Sequence, residues 1–191
     1  VLVAYIERAT LRTYKNNIPY FNLVNKTKSQ TAEAHLWLEE LIAGDASLNF
    51  ERDVQVTLTA AVSLLQGAYD GKQNEAGSFV AETTEETRAL LKESIFELEK
   101  LTAAANDRWK HKNETTVAAT DSTAEVIVSR PGDALDQQFD ASYAAFQLSL
   151  DRLEDHISQS VNSDASYLSI MSWVSIALLI SAFGAFCVFL F

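Results

Sequence analysis

Residues 133–164 read DALDQQFDASYAAFQLSLDRLEDHISQSVNSD, and residues 165–191 continue as ASYLSIMSWVSIALLISAFGAFCVFLF. The first segment carries apolar residues at successive spacings of 7, 4, 3 and 4, which is the period of an amphipathic α-helix. These residues are Phe139, Phe146, Leu150, Leu153 and Ile157. No helix breaker lies between the last of them and the start of the second segment. The pattern predicts one continuous helix that begins after Asp133 as its cap and runs on into residues 165–191.

The second segment has the length of a membrane helix. Asp164 is the last charged residue of the chain. As an α-helix, the uncharged residues after it span roughly 40 Å, against roughly 30 Å for the hydrocarbon of a bilayer. Tyr167 and Trp173 lie near its start, where amphipathic aromatic side chains favour the membrane interface. The alternative is a buried core helix, and we expect residues 165–191 to form a transmembrane helix.

The amino-terminal end is apolar as well. Residues 1–6 read VLVAYI and do not begin with Met. They lack the basic start and the small-residue cleavage site of a signal peptide, so we expect the end of a first transmembrane helix. Between Asp151 and Ser166 the only Lys or Arg is Arg152, and scarcity of Lys and Arg beside a span marks the non-cytoplasmic side. The basic residues that oppose this orientation are Arg8, Arg12 and Lys15.

Composition excludes several classes of protein. There are 15 Lys and Arg against 26 Asp and Glu, a net charge of −11, whereas nucleic-acid binding needs clustered basic residues. Only 6 Gly and 2 Pro are present, too few for the many turns of an all-β fold. The single cysteine, Cys187, excludes an intrachain disulfide framework, a Cys-rich zinc site and a c-type haem. No motif of an enzyme is found, so we expect neither catalysis nor a cofactor.

Three further helices are predicted upstream. The first covers about residues 6–43 and ends at Gly44, a glycine carboxyl-terminal cap, with a kink or break at Pro19. The second covers about residues 47–69 and is followed by a turn at residues 71–77.

The third helix begins at a capping box formed by Thr83 and Glu86 and continues to Trp109. A polar, threonine-rich loop at residues 113–132 follows. Four amphipathic helices with this spacing predict an all-α fold, an antiparallel up-down-up-down four-helix bundle whose last helix enters the membrane. The predicted domains are the membrane-helix end 1–6, the bundle 7–164 and the transmembrane helix 165–191.

The first helix carries an unusual pair of polar residues. At 100° per residue His35 falls inside its apolar sector and Glu39 at the edge, and as i,i+4 neighbours the two can touch. Glu39 either orients a half-buried histidine or acts with it on a ligand; a metal site is the weakest interpretation, since only His111 is near. The apolar sector itself comprises Tyr20, Val24, Thr31, Ala34, Leu38, Leu41 and Ile42.

An antiparallel fold brings together the end of the first helix, the start of the second, the end of the third and the start of the fourth. A tryptophan beside an arginine can bind an anionic or an aromatic ligand; the alternative is a core tryptophan flanked by solvated cations. This layer also holds Asp53 and Lys112. The residues predicted to bind a ligand are His35, Glu39, Arg108, Trp109 and Asp136.

Two short motifs stand out, His35-Leu-Trp-Leu-Glu-Glu40 with Gly44-Asp45, and Asp136-Gln-Gln-Phe-Asp140 at the start of the fourth helix. Through them the chain resembles, over about Tyr20 to Ser160, the periplasmic sensor module of bacterial chemoreceptors and membrane sensor histidine kinases. The resemblance implies a homodimer in the bacterial inner membrane with the bundle in the periplasm. It also implies a small-molecule ligand or a periplasmic binding protein outside, and cytoplasmic signalling proteins reached through regions beyond this chain. The arginine pair of amino-acid chemoreceptors is not identifiable, so the resemblance does not extend to that ligand class.

We therefore expect the ligand-sensing domain of a transmembrane signalling receptor. The alternative is a tail-anchored helical membrane scaffold or a fusion-type interaction protein of a eukaryotic membrane, with its helices in the cytoplasm. The acidic flank before residue 165 favours the receptor.

Overall fold

The computed structural model describes residues 2–79, 84–112, 116–117, 126–127 and 134–190. Over these ranges the chain is mostly helical, which confirms the all-α class expected from the sequence. The helices are α1 (Leu2–Ala43), a π-helical segment (Phe50–Gln55) that leads into α2 (Val56–Tyr69), α3 (Glu85–His111) and α4 (Ala134–Leu190). Two short antiparallel ladders join β1 (Gln73–Asn74) to β2 (Gly77–Ser78) and β3 (Thr116–Val117) to β4 (Val126–Ile127).

The last helix is the longest element. α4 contains 57 residues, about 85 Å at the rise of an α-helix, and it passes through Ser160 without interruption. The predicted continuity of this helix is confirmed. Within the part of the chain that the structure describes, no helix combines the length and the apolarity needed to cross a membrane. The predicted cap Asp133 lies outside the described residues, as do the side chains of residues 182–190, so the membrane span stays a prediction.

The end of α1 follows the sequence prediction closely. Gly44 has φ of 101°, in the left-handed region that glycine adopts without steric cost. Its N–H donates to the Leu41 carbonyl at 3.2 Å, and the Asp45 N–H donates to the Glu40 carbonyl at 2.9 Å. These two bonds form a Schellman motif, which satisfies carbonyls that the helix end leaves open.

The connection between α2 and α3 packs against α1 beside Pro19. Where the sequence predicted a simple turn, β1 and β2 form a small hairpin. A Cβ atom at Gly77 would lie 2.8 Å from the Pro19 Cβ, so only glycine permits this approach. The Asn22 amide donates to the Ala76 carbonyl at 3.4 Å. α1 continues through Pro19, so the alternative of a break there was wrong; the hairpin supports the helix at this turn.

The second helix begins later than predicted and with a wider turn. Asn49 is its cap, and its side-chain oxygen accepts a hydrogen bond from the Arg52 N–H at 2.8 Å. The residues that follow, Phe50–Gln55, are π-helical rather than α-helical. The helix begins at Phe50 and not at about residue 47, because the Asn49 side chain caps it by accepting from the Arg52 N–H.

The cap of α3 is displaced from the prediction. Thr84 is the cap, and its hydroxyl oxygen accepts from the Thr87 N–H at 3.1 Å. The predicted box with Glu86 was therefore wrong in register, and Thr83 lies outside the described residues. In the predicted loop 113–132, β3 and β4 pair Thr116 with Ile127.

The four long helices pack in a fixed order. α1 and α3 each pack against both α2 and α4. Lys28 bonds Glu154 at 2.7 Å, while His35, later in α1, lies 3.8 Å from Asp140, earlier in α4; α1 and α4 are therefore antiparallel. α3 and α4 show the same opposed order. Their pairs are Thr87–His156, Glu93–Arg152 and Arg108–Asp136.

The apolar stripe predicted for the fourth helix is buried in full. The first-helix sector is buried as well, apart from Ile42, which is half-buried. These two stripes meet the inward faces of α2 and α3 in one hydrophobic core. The core keeps the ends of α1 and α3 beside the start of α4, which is where the predicted ligand residues lie.

Candidate functional site

The structure brings most of the predicted ligand residues into contact. His35 and Glu39 lie near the end of α1, Arg108 at the end of α3, and Asp136 in the first turn of α4. We call these residues together with Asp140 the charged cluster. It joins three helices at one end of the fold, as the antiparallel prediction required.

Arg108 is the centre of the charged cluster. Its side chain is 6% exposed, and its guanidinium donates to both Glu39 oxygens, the Nη2–Oε2 bond being 3.1 Å long. Nη2 also pairs with Asp136. Burial of a charge is costly unless opposite charges and hydrogen bonds compensate it. Here two carboxylates from α1 and α4 compensate a guanidinium from α3.

The expectation that cations beside Trp109 are solvated was wrong for Arg108. The buried positions along α3 follow a 4-3-4-3 spacing that ends on Arg108 and not on Trp109. This stripe consists of Ser94, Leu98, Leu101, Ala105 and Arg108. The last turn of α3 therefore turns the arginine inward, where the start of α4 covers it.

Trp109 lies beside the charged cluster and is half-buried. The Phe50 ring stacks on it with centroids 5.1 Å apart and an angle of 8° between the planes. The Lys112 ammonium lies 3.2 Å from the centroid of the Trp109 ring, a cation–π contact. The ring already has intramolecular partners, which favours the packing interpretation over an open platform for an aromatic ligand.

His35 faces two carboxylates at distances longer than a hydrogen bond. Its Nε2 lies 3.6 Å from Glu39 Oε1 and 3.8 Å from Asp140 Oδ1. Phe139 and Tyr143 meet the imidazole edge to face, with centroids 5.0 and 4.5 Å away. Glu39 forms hydrogen bonds with Arg108 and lies at a longer distance from His35, so the interpretation that it simply orients His35 is incomplete.

The electrostatic balance of the charged cluster is acidic. The carboxylates of Glu39, Asp136 and Asp140 outnumber the single Arg108 guanidinium. An anionic ligand would compete with two carboxylates for a compensated arginine. The cluster is suited to attract positive charge, including the charge of a protonated imidazole.

The Tyr143 ring on α4 lies against His35 beside the charged cluster. Burial raises the pKa of the Tyr143 phenol, and a hydrogen bond with Gln147 partly opposes this shift. Tyr143 therefore presents a neutral ring edge to His35 near neutral pH.

Two neighbours of His35 were not predicted, Asp140 and Tyr143. Both lie on the face of α4 that carries Asp136, since Asp140 follows it by one helical turn. The contact of this face with His35 depends on the register of α4 against α1, which the sequence pattern alone does not specify.

Over the described residues, no group of three or more His, Cys, Asp or Glu side chains is arranged to hold a metal ion. Comparison of the chain with family models, with curated proteins and with solved structures finds no match. What bears on function is the geometry of the charged cluster and of α4.

Proposed function

We propose that this chain is the ligand-sensing extracytoplasmic domain of a transmembrane signalling receptor, of the chemoreceptor or sensor-kinase type. Residues 7–164 form an antiparallel up-down-up-down four-helix bundle in the bacterial periplasm, and α4 continues through the inner membrane as residues 165–191. The chain itself catalyses no reaction in this proposal. The observation that carries it is the unbroken course of α4 from the charged cluster to the uncharged end of the chain.

α4 can transmit movement because it is one helix. Asp136 near its start contacts Arg108, and Ile170 lies 34 residues later, about 50 Å along the axis. A helix without a break transmits axial displacement and rotation along its length. A shift of its first turn relative to α1 would therefore reach residues 165–191.

The far part of α4 exposes large apolar side chains around much of its circumference. At 100° per residue they cover an arc of roughly 200°. A helix that is apolar on most sides is typical of a buried or membrane environment and not of water. The exposed residues are Ile170, Trp173, Val174, Ile176, Leu178 and Ile180. This exposure supports the membrane segment of the proposal.

The charged cluster supports the sensing part because it already joins α1, α3 and α4 through one guanidinium. The helices would exist in two arrangements at equilibrium. A small molecule or a periplasmic binding protein would bind one of these carboxylates better in one arrangement and so shift the equilibrium toward it. The receptor would act as a homodimer and transmit its signal to cytoplasmic signalling proteins.

The membrane topology can be tested on the full chain in a bacterial host. The native cysteine is removed by Cys187→Ser, and Ala46→Cys introduces one thiol in the exposed loop after α1. We expect the protein to stay in the membrane fraction after alkaline washing. We also expect a membrane-impermeant maleimide to label it in intact spheroplasts. Labelling only after lysis would contradict the receptor and fit the tail-anchored alternative.

Ligand sensing can be tested by thermal melting of the full chain in mild detergent against a library of metabolites. A compound acting at the charged cluster should stabilise the wild type and lose that effect in His35→Ala. The effect should also be lost in Trp109→Ala, because Trp109 lies beside the cluster. A compound that stabilises all three proteins equally would place the binding site elsewhere.

A further inference from the structure

Two histidines lie between α4 and a neighbouring helix, one at each end of its buried part. His35 of α1 faces Asp140, and His156 of α4 faces Glu86 of α3. Asp140 and His156 are about 24 Å apart along α4. Imidazole is the side chain whose charge changes in the physiological pH range. Both contacts would therefore respond to pH, and each lies between α4 and a different helix.

The surroundings of His35 favour a positive charge. Its Nε2 lies 3.6 Å from Glu39 and 3.8 Å from Asp140, and its side chain is 26% exposed. The charged and titratable groups around it are Glu39 on α1, Arg108 on α3, and Asp136, Asp140 and Tyr143 on α4. The one positive group, Arg108, is already bonded to two carboxylates, so the sum of these charges attracts an imidazolium.

The surroundings of His156 have the same sign. Its Nδ1 lies 3.5 Å from a Glu86 oxygen, and its Nε2 lies 3.1 Å from the Thr87 hydroxyl. The side chain is 21% exposed. On α4 the charged residues Asp151, Arg152, Glu154 and Asp155 lie within five residues of His156. Arg152 pairs with Glu93 of α3, and Lys28 of α1 pairs with Asp151 and Glu154. Glu86 is therefore the charged group that faces the ring across the α3–α4 interface.

We propose that His35 and His156 together form a pH-responsive clamp on α4. Protonation gives each ring a positive charge and N–H groups on both nitrogens. His35 then attracts Asp140 across the α1–α4 interface, and His156 attracts Glu86 across the α3–α4 interface. Acidification from about pH 7.5 to about pH 5.5 tightens α4 against both neighbours. The clamp acts within the described helices and does not depend on the membrane topology proposed above.

The test is thermal unfolding of the full chain in mild detergent, followed by circular dichroism across this pH window. We expect protonation to raise the ratio of folded to unfolded protein by about two- to fivefold per histidine. For the wild type this corresponds to a rise in melting temperature of about 2–6 °C on acidification. The double variant His35→Gln/His156→Gln should lose that rise.

Two further variants keep the result interpretable. His111→Gln removes the third histidine, whose Nδ1 lies 2.8 Å from the Asp107 carbonyl; because the clamp assigns the rise to His35 and His156, this variant should retain it. Asp140→Asn should reduce the rise while both histidines remain, because it removes the α4 carboxylate that faces His35 and leaves Glu39 on α1. Amide hydrogen exchange over residues 134–160, corrected for intrinsic rates, should slow on acidification in the wild type but not in the double variant.

The clamp would be refuted by an equal pH response of the wild type and the double variant. It would also be refuted if acidification lowered the stability of the wild type over this window. Neither outcome depends on whether the protein stays in the membrane fraction, so failure of the clamp and failure of the receptor proposal are distinguishable.

Discussion

Arg108→Met tests whether the charged cluster holds the helix ends together. The substitution removes the guanidinium but keeps an apolar side chain of similar length. Glu39 and Asp136 then lose their shared partner, and the Asp136 side chain is only 16% exposed. Removing one partner of a fully buried ion pair costs about 3–5 kcal/mol. Because the Glu39 side chain is 37% exposed, we expect a smaller loss of about 2–4 kcal/mol in the free energy of unfolding.

The measurement is urea unfolding of the full chain in mild detergent, with Arg152→Met as the matched control. Arg152 pairs with Glu93, and the two side chains are 53% and 39% exposed, so its loss should cost about 0–1 kcal/mol. Asp136→Asn alone and combined with Arg108→Met completes a double-mutant cycle, in which a clear coupling energy is expected. Equal effects of Arg108→Met and Arg152→Met, with no coupling to Asp136, would refute the structural role assigned to the cluster.

Three further predictions concern local features of the fold and use the same unfolding measurement. Gly77→Ala should lower the free energy of unfolding by about 1–3 kcal/mol, because φ of 150° and the 2.8 Å approach to Pro19 leave no place for a Cβ atom; an unchanged midpoint would contradict it. Thr84→Ala should cost about 1 kcal/mol through loss of the α3 cap, whereas Thr84→Asp should cost much less. Hydrogen bonding from Arg52 lowers the pKa of the Asp53 carboxyl, so its stabilising effect is present above the pKa of the unfolded chain and is lost as pH falls through the folded value. Asp53→Asn should therefore destabilise the protein near pH 7, and this difference should disappear in acid.

The course of the helices could be predicted from the sequence because it depends on local patterns. The apolar stripe that ends at Ile157 repeats over several turns, and all of its members are buried. Gly44 closes α1 through two local hydrogen bonds. Such signals depend on residues within one or two turns, so no knowledge of the tertiary fold is needed.

The exact phase of a helix was harder to predict. Both Arg108 and Trp109 lie three or four residues beyond Ala105, so spacing alone allows either to continue the stripe. Hydrophobicity favoured the tryptophan, but the structure buries the arginine because carboxylates on two other helices receive it. A buried charge depends on partners that are distant in sequence, which a local pattern does not contain.

The predicted cluster therefore formed with a different internal arrangement. Glu39 was expected either to orient His35 or to act with it on a ligand, and the structure shows in addition that it hydrogen-bonds Arg108 across a separation of 69 residues. Asp140 also faces His35, and this contact depends on the register of α4 against α1. These contacts depend on how antiparallel helices align, and helix alignment is set by the whole core.

The continuity of α4 is the central claim, and a distance between two spin labels on this helix tests it most directly. In a Cys187→Ser background, Ala141→Cys and Asn162→Cys place labels on exposed positions on either side of Ser160. An unbroken helix predicts a narrow distribution of distances near ~31 Å between the labelled positions. A broad distribution, or a clearly shorter mean distance, would show a hinge between them and contradict the transmission of movement along α4.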